Sequence, residues 1–169
     1  MDCKGSTARR AKAGKYLTFV LGREVYGVEI LKVQEIMGRI DTARLPGTPA
    51  CIRGIINLRT KIIPVIDLRR RFGLDAVTDT EKTCYIILQV VLSGQAATVG
   101  IAVDEVCEVL RIAEDRLDPV PHLGAGVDLE FLLGLGKVGE KVILLLDADR
   151  LLDGGDAQVL EGALLAKAS

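Results

Sequence analysis

Catalysis needs an acid, a base, a nucleophile or a metal ligand held at a fixed spacing, and few residues of this chain offer that. His122 is the only histidine and stands in Pro121-His122-Leu123-Gly124, a loop sequence. Zinc takes three or four Cys, His or carboxylate ligands at short spacings. No Cys or His stands at ligand spacing from His122, so it marks no metal site. Cys3, Cys51, Cys84 and Cys107 are scattered without a Cys-x-x-Cys pair and read as reduced, mostly buried thiols. Asp104, Glu105 and Glu108 cluster, but a strand sends alternate residues to opposite faces, where they read as solvated charges. Gly124-Ala125-Gly126 and Gly134-Leu135-Gly136 lack the further glycine and the βαβ setting of a dinucleotide site, and no phosphate-binding Gly-x4-Gly-Lys-Ser/Thr loop occurs. The expectation is a protein without catalytic residues, metal or cofactor.

The elements that would position a site come next. The 169 residues suffice for one ordinary domain or two small lobes sharing a core. A hydrophobic fraction of 49% supports such a core. Trp is absent and aromatics are 4%, which removes the stacking platform of a single-strand nucleic-acid binder. A net charge of −1 gives no drive toward nucleic acid or an anionic membrane. Apolar runs such as Val142 to Leu146 fall far short of the about 20 residues that span a bilayer. Met1-Asp2-Cys3-Lys4-Gly5 has no apolar signal-peptide region, so the expected location is the cytoplasm. Residues 1–14 read as a disordered basic tail. At the other end the pattern predicts a short helical turn after Ala148, a break at Gly154-Gly155, and an amphipathic helix within 154–169 carrying Val159, Leu160, Leu164 and Leu165.

Between these ends the pattern is strand. Tyr16 to Leu21 and Cys84 to Leu92 are aliphatic runs followed by turn signals at Gly22-Arg23 and Ser93-Gly94. Gly54 to Ile66 reads as a hairpin turning near Arg59-Thr60, and Gly134 to Leu146 as another turning at Gly139-Glu140. Regular short strands with little helix predict a small barrel or sandwich. The segment from Tyr26 to Ile36 lines up with that from Val99 to Val109. Gly54, Ile55, Lys61, Ile62, Ile63 and Asp67 then stand opposite Gly134, Leu135, Lys141, Val142, Ile143 and Asp147. Two ordered matches predict two versions of one strand-rich lobe, about 15–80 and 81–153, each too small to bury its face alone. Pro64 replaces the Leu144 of the second copy and predicts an edge strand or a bulge there.

With these blocks in place, a resemblance is visible. Tyr16 to Leu21, Tyr26 to Ile36, Gly54-Ile55-Ile56-Asn57-Leu58-Arg59 and Ile62-Ile63-Pro64-Val65-Ile66-Asp67-Leu68 resemble the CheW family of chemotaxis coupling proteins in order and spacing. Val99 to Asp104 and Leu132 to Gly136 extend the likeness over residues 15–153. It implies an all-β fold of two small five-stranded SH3-like barrels packed together. It also implies a non-catalytic adaptor that binds the regulatory domain of the histidine kinase CheA and the cytoplasmic tips of methyl-accepting chemoreceptors, in association with membrane-bound receptor arrays. Carried over by position, the receptor-binding residues are Val33, Glu35, Asn57, Arg59, Cys84 and Val109; the kinase-contact residues stay unassigned. A helical hairpin is gripped through an apolar strip flanked by a few charges, roles that Val33 and Val109, and Glu35 and Arg59, can fill. The same residues also read as core packing, a strand charge and a solubilising turn residue. The other function class compatible with two lobes is a small-ligand carrier using the groove between them. The chain departs from the family at Thr60, where glycine usually follows Asn-Leu-Arg; a β-branched residue at positive φ is strained.

Overall fold

Strands buried on both faces read as continuous apolar runs rather than alternating ones, and the runs of this chain form the middle of two sheets. The computed structural model describes residues 11–38, 40–44, 46–48, 50–75, 79–92, 94–120 and 130–151. The strands are β1 (Gly14–Leu21), β2 (Glu24–Glu29), β3 (Val33–Gly38), β4 (Ile52–Leu58), β5 (Lys61–Asp67), β6 (Cys84–Leu92), β7 (Gln95–Val103), β8 (Glu105–Ile112), β9 (Leu117–Asp118), β10 (Leu132–Val138) and β11 (Lys141–Leu146). A four-residue helix, α1 (Leu68–Arg71), follows β5, and 3-10 turns cover Ile30–Lys32, Glu114–Arg116 and Ala148–Arg150. The expected His122 loop, the amphipathic helix within 154–169 and residues 1–10 of the tail lie outside the described residues.

One sheet has the order β3-β6-β7-β5-β4 and the other β8-β1-β2-β11-β10-β9. The fold is therefore all-β, two small barrel-like lobes packed together, with a two-residue sixth strand, β9, added to one of them. The division expected near residue 80 separates the two copies of the repeat but not the two sheets. The five-stranded sheet is a continuous piece of chain, β3 to β7; the six-stranded sheet is assembled from β1 and β2 before it and β8 to β11 after it. The physical reason is parallel pairing. β7 lies parallel to β5 and β2 parallel to β11, and parallel neighbours cannot be joined by a tight turn, so each sheet is completed by a hairpin from the other copy.

The repeat survives in three dimensions. Gly27 pairs with Leu145 and Gly100 with Val65, and Val65 stands opposite Leu145 in the aligned copies. Asp67 and Asp147 both cap the turn after their strand, accepting backbone N–H bonds from Arg69 and Arg70 and from Asp149. Gly54 and Gly134 both stand where the chain crosses over a strand: a Cβ there would lie 2.6 Å from the Ala43 carbonyl oxygen and 2.9 Å from that of Asp118.

Three apolar clusters follow. Leu17, Phe19, Leu21, Ile86, Leu88 and Ile101 fill the space between the sheets. The opposite faces of the same strands give each lobe its own interior: Ile63, Val65, Tyr85 and Ile87 in one, Tyr16, Ile143 and Leu145 in the other. Pro64 is not on an edge strand, because β5 lies between β7 and β4. It is tolerated because the ladder to β7 begins only at Val65. The nearby bulge is in β4, between Ile52 and Gly54.

Asp104 is not the solvated charge its strand position suggested. Its carboxylate accepts from Arg69 Nε at 3.0 Å, from Arg69 Nη2 at 2.7 Å and from the Gly22 N–H at 2.9 Å. Burial alone would raise this carboxyl, but the guanidinium and the amide outweigh it and hold it below its ordinary value. The matching place in the other lobe carries the opposite polarity. There Asp149, the counterpart of Arg69, accepts from Lys32 Nζ at 3.2 Å and from the Val91 N–H at 2.8 Å. Each carboxylate thus ties a strand end of one sheet to the other sheet through its backbone N–H bond, Asp104 to the β1–β2 turn and Asp149 to the end of β6.

Candidate protein-docking site

β3 positions the first two candidates, and a bulge decides where they point. Val33 faces Leu88 and Glu35 faces Ile87, so two residues of β3 oppose one step of β6. Residues two apart on a strand ordinarily share a face. Here the extra residue turns Val33 toward the core between the sheets, beside Leu88, while Glu35 shares the face of Ile87 at the lobe interior.

Arg59 reaches Glu35 from the tip of the β4–β5 hairpin. Its Nη1 donates to Oε2 at 3.0 Å and its Nη2 to Oε1 at 3.2 Å, a two-pronged contact. β3 and β4 are the opposite edges of their sheet, so this pair spans the open seam of the curled lobe. The arginine side chain is 73% exposed and the glutamate 25%, which leaves the guanidinium available to a partner. The turn that presents it is the two-residue turn the sequence indicated. Both of its central residues are left-handed, Arg59 at φ 51° and Thr60 at φ 72°, the geometry of a type I′ hairpin. Thr60 Oγ1 donates to the Arg59 carbonyl. The missing glycine has therefore not lengthened the turn; Thr60 holds a glycine conformation.

Cys84 opens β6 opposite Gly38 and Val103, is partly buried, and donates its S–H to the Lys82 carbonyl at 3.3 Å. It packs against the inter-sheet core, as Val33 does. Val109 lies on β8 of the other sheet, 46% exposed. Asn57 is exposed on β4 beside Ile62, itself 40% exposed, and its side chain joins none of the hydrogen bonds found among the described residues. The structure thus brings Glu35 and Arg59 into contact, sets Val33 and Cys84 at opposite ends of the β3–β6 ladder on the inter-sheet core, and leaves Asn57 and Val109 on separate strands. It adds Val106, which faces Phe19 and packs on the same inter-sheet core, and Ile36, 44% exposed. Both were legible in the repeat, where Val106 stands opposite Val33 and Ile36 opposite Val109.

Little here resembles a reaction centre. Among the described residues no group of three His, Cys, Asp or Glu side chains could hold a metal. Burial and the neighbouring Glu105 and Glu108 push the Cys107 thiol up, the opposite of what a nucleophile needs. The space between the lobes is filled by packed side chains, which disfavours a small-ligand carrier. No helix among the described residues is long and apolar enough to cross a membrane.

Two interlocked barrels with an ion pair exposed across the seam of one of them define a scaffold for docking other proteins. The CheW-like domain family matches residues 15–155. A chemotaxis protein CheW from Klebsiella aerogenes is 40% identical over 147 residues, 87% of this chain and 86% of that protein. Its counterpart from Treponema pallidum is 32% identical over 85% of both chains. The crystal structure of the scaffolding protein TtCheW from Thermoanaerobacter tengcongensis superposes with a TM-score of 0.74 at 36% identity, covering 84% of this chain and 95% of that one. The chain belongs to the CheW-like domain family, and its function is that of a chemotaxis coupling adaptor.

Proposed function

We propose that the protein is a non-catalytic adaptor holding the regulatory domain of the kinase CheA and the cytoplasmic hairpin tip of a methyl-accepting chemoreceptor at the same time, in the cytoplasm at receptor arrays. The receptor tip lies over Val33 and the Glu35–Arg59 pair, with Cys84, Asn57 and Val109 at its margins. The observation that carries this reading is the Glu35–Arg59 pair, partly exposed, with the exposed Ile36 next to Glu35 on β3. An apolar strip gives a helix its contact area, and a fork of charged hydrogen bonds fixes its register. Family membership supports the coupling role. The test is a pull-down of the full chain with a receptor cytoplasmic fragment and, separately and together, a CheA regulatory domain. Capture of both in one complex is the expected result; failure to capture either removes the reading.

A further inference from the structure

An adaptor that holds two partners needs two separate surfaces, and the far end of the five-stranded sheet supplies a second one. The start of β4, the end of β5, the residue before β6 and the end of β7 meet there, opposite the end that carries the Arg59 turn. They enclose a cavity of about 240 Å³ with an apolar floor that includes Ile52 and Val103.

Its walls are charged, and the charges do not cancel. Arg53 is spent on Asp79 at 2.8 Å and Asp67 at 3.3 Å, with its guanidinium 5.8 Å over the Tyr85 ring. Arg69 is spent on Asp104 and on the Asp75 carbonyl. Arg44 and Arg70 also line the cavity, both are exposed, and neither side chain has a hydrogen-bond or ion-pair partner among the described residues. Among the described residues of the lining, four guanidiniums stand against three carboxylates, and the net positive charge is displayed by Arg44 and Arg70.

We infer that this cleft is the kinase-side docking site, and that it receives an acidic side chain of the CheA regulatory domain between Arg44 and Arg70. This rests on the coupling role proposed above, which gives the Arg59 end to the receptor. The charge count selects the occupant. One carboxylate neutralises the cleft, whereas a doubly charged phosphate would leave an excess facing Asp67, Asp79 and Asp104. The arginine fork matches a carboxylate in two-pronged geometry, and the apolar floor takes the methylene stem of a glutamate.

The test measures binding of the full chain to a CheA regulatory domain and to a receptor cytoplasmic fragment by titration calorimetry. The variants are Arg44→Glu, Arg70→Glu and the conservative Arg44→Lys. Each reversal is expected to weaken kinase-domain binding roughly tenfold or more and to flatten its salt dependence, with receptor binding and the melting temperature unchanged. Arg44→Lys should retain most of the affinity. Unchanged kinase-domain affinity in both reversals, or an equal loss for both partners, overturns the inference while leaving the coupling role standing. If the wild-type chain binds neither partner, the coupling role itself is what has failed.

Discussion

Thr60 is a place where a single substitution has a calculable sign. A left-handed backbone costs an L-residue roughly 1–2 kcal/mol, and glycine adopts it without that penalty. Thr60 sits at φ 72°, well inside that region. Against this, glycine loses more backbone freedom on folding, by roughly 0.5–1 kcal/mol. The Thr60 hydroxyl bond to the adjacent Arg59 carbonyl is solvent-exposed and offsets little. The balance is a stabilisation of about 1 kcal/mol for Thr60→Gly, or roughly 2–4 °C in melting temperature for a chain of this size. The second hairpin provides the reciprocal case, since Gly139 holds φ 63° in the matching turn; by the same balance Gly139→Thr is expected to lose about 1 kcal/mol. Urea melts of the wild type and both variants, analysed at a common slope, measure the two effects. A destabilised Thr60→Gly protein would refute the reasoning, because the unfolded-state entropy would then outweigh the strain assigned to the turn.

The same turn makes a functional prediction: Arg59→Glu is expected to weaken receptor-fragment binding roughly 5- to 150-fold by calorimetry. Kinase-domain affinity should persist and stability should change little, because exposed pairs contribute at most about 1 kcal/mol. The charge-swapped double variant Glu35→Arg with Arg59→Glu should recover the seam contact, and with it any lost stability, but not the affinity if the receptor reads Arg59. Gly54→Ala and Gly134→Ala should each destabilise by about 1–3 kcal/mol in denaturant melts, since the added Cβ meets backbone carbonyls at 2.6 and 2.9 Å that have little freedom to withdraw. The lowered pKa of Asp104 fixes a sign for acid sensitivity. The stability it contributes is fully present above its unfolded value and is lost as pH falls through the folded one. Asp104→Asn should therefore be less stable near neutrality and show a shallower loss of melting temperature on acidification; an unchanged acid profile would mean the Arg69 contact carries no linkage.

What local chemistry controls was legible in the chain. The β4–β5 and β10–β11 hairpins fall where apolar runs flank Arg59-Thr60 and Gly139-Glu140, because turn register depends on a few adjacent residues. The matched positions of Gly27 and Gly100, and of Asp67 and Asp147, exposed the repeat, and ordered blocks exposed the family. The candidate site was only half legible. Glu35 and Arg59 meet, but strand alternation alone cannot reveal the bulge that sets Val33 and Glu35 on opposite faces.

Tertiary structure decided what long-range pairing controls. Nothing in the repeat said that each sheet would be completed by the other copy's hairpin; that follows from parallel pairing between β5 and β7 and between β2 and β11, across distant parts of the chain. Only that interlocking gives Asp104 an arginine and an amide as partners and gives Asp149 a lysine. It also gathers arginines from three segments around one cleft. A charge is readable from sequence, but its partner is set by which strand ends meet, and the core that joins the sheets determines that only once both are assembled.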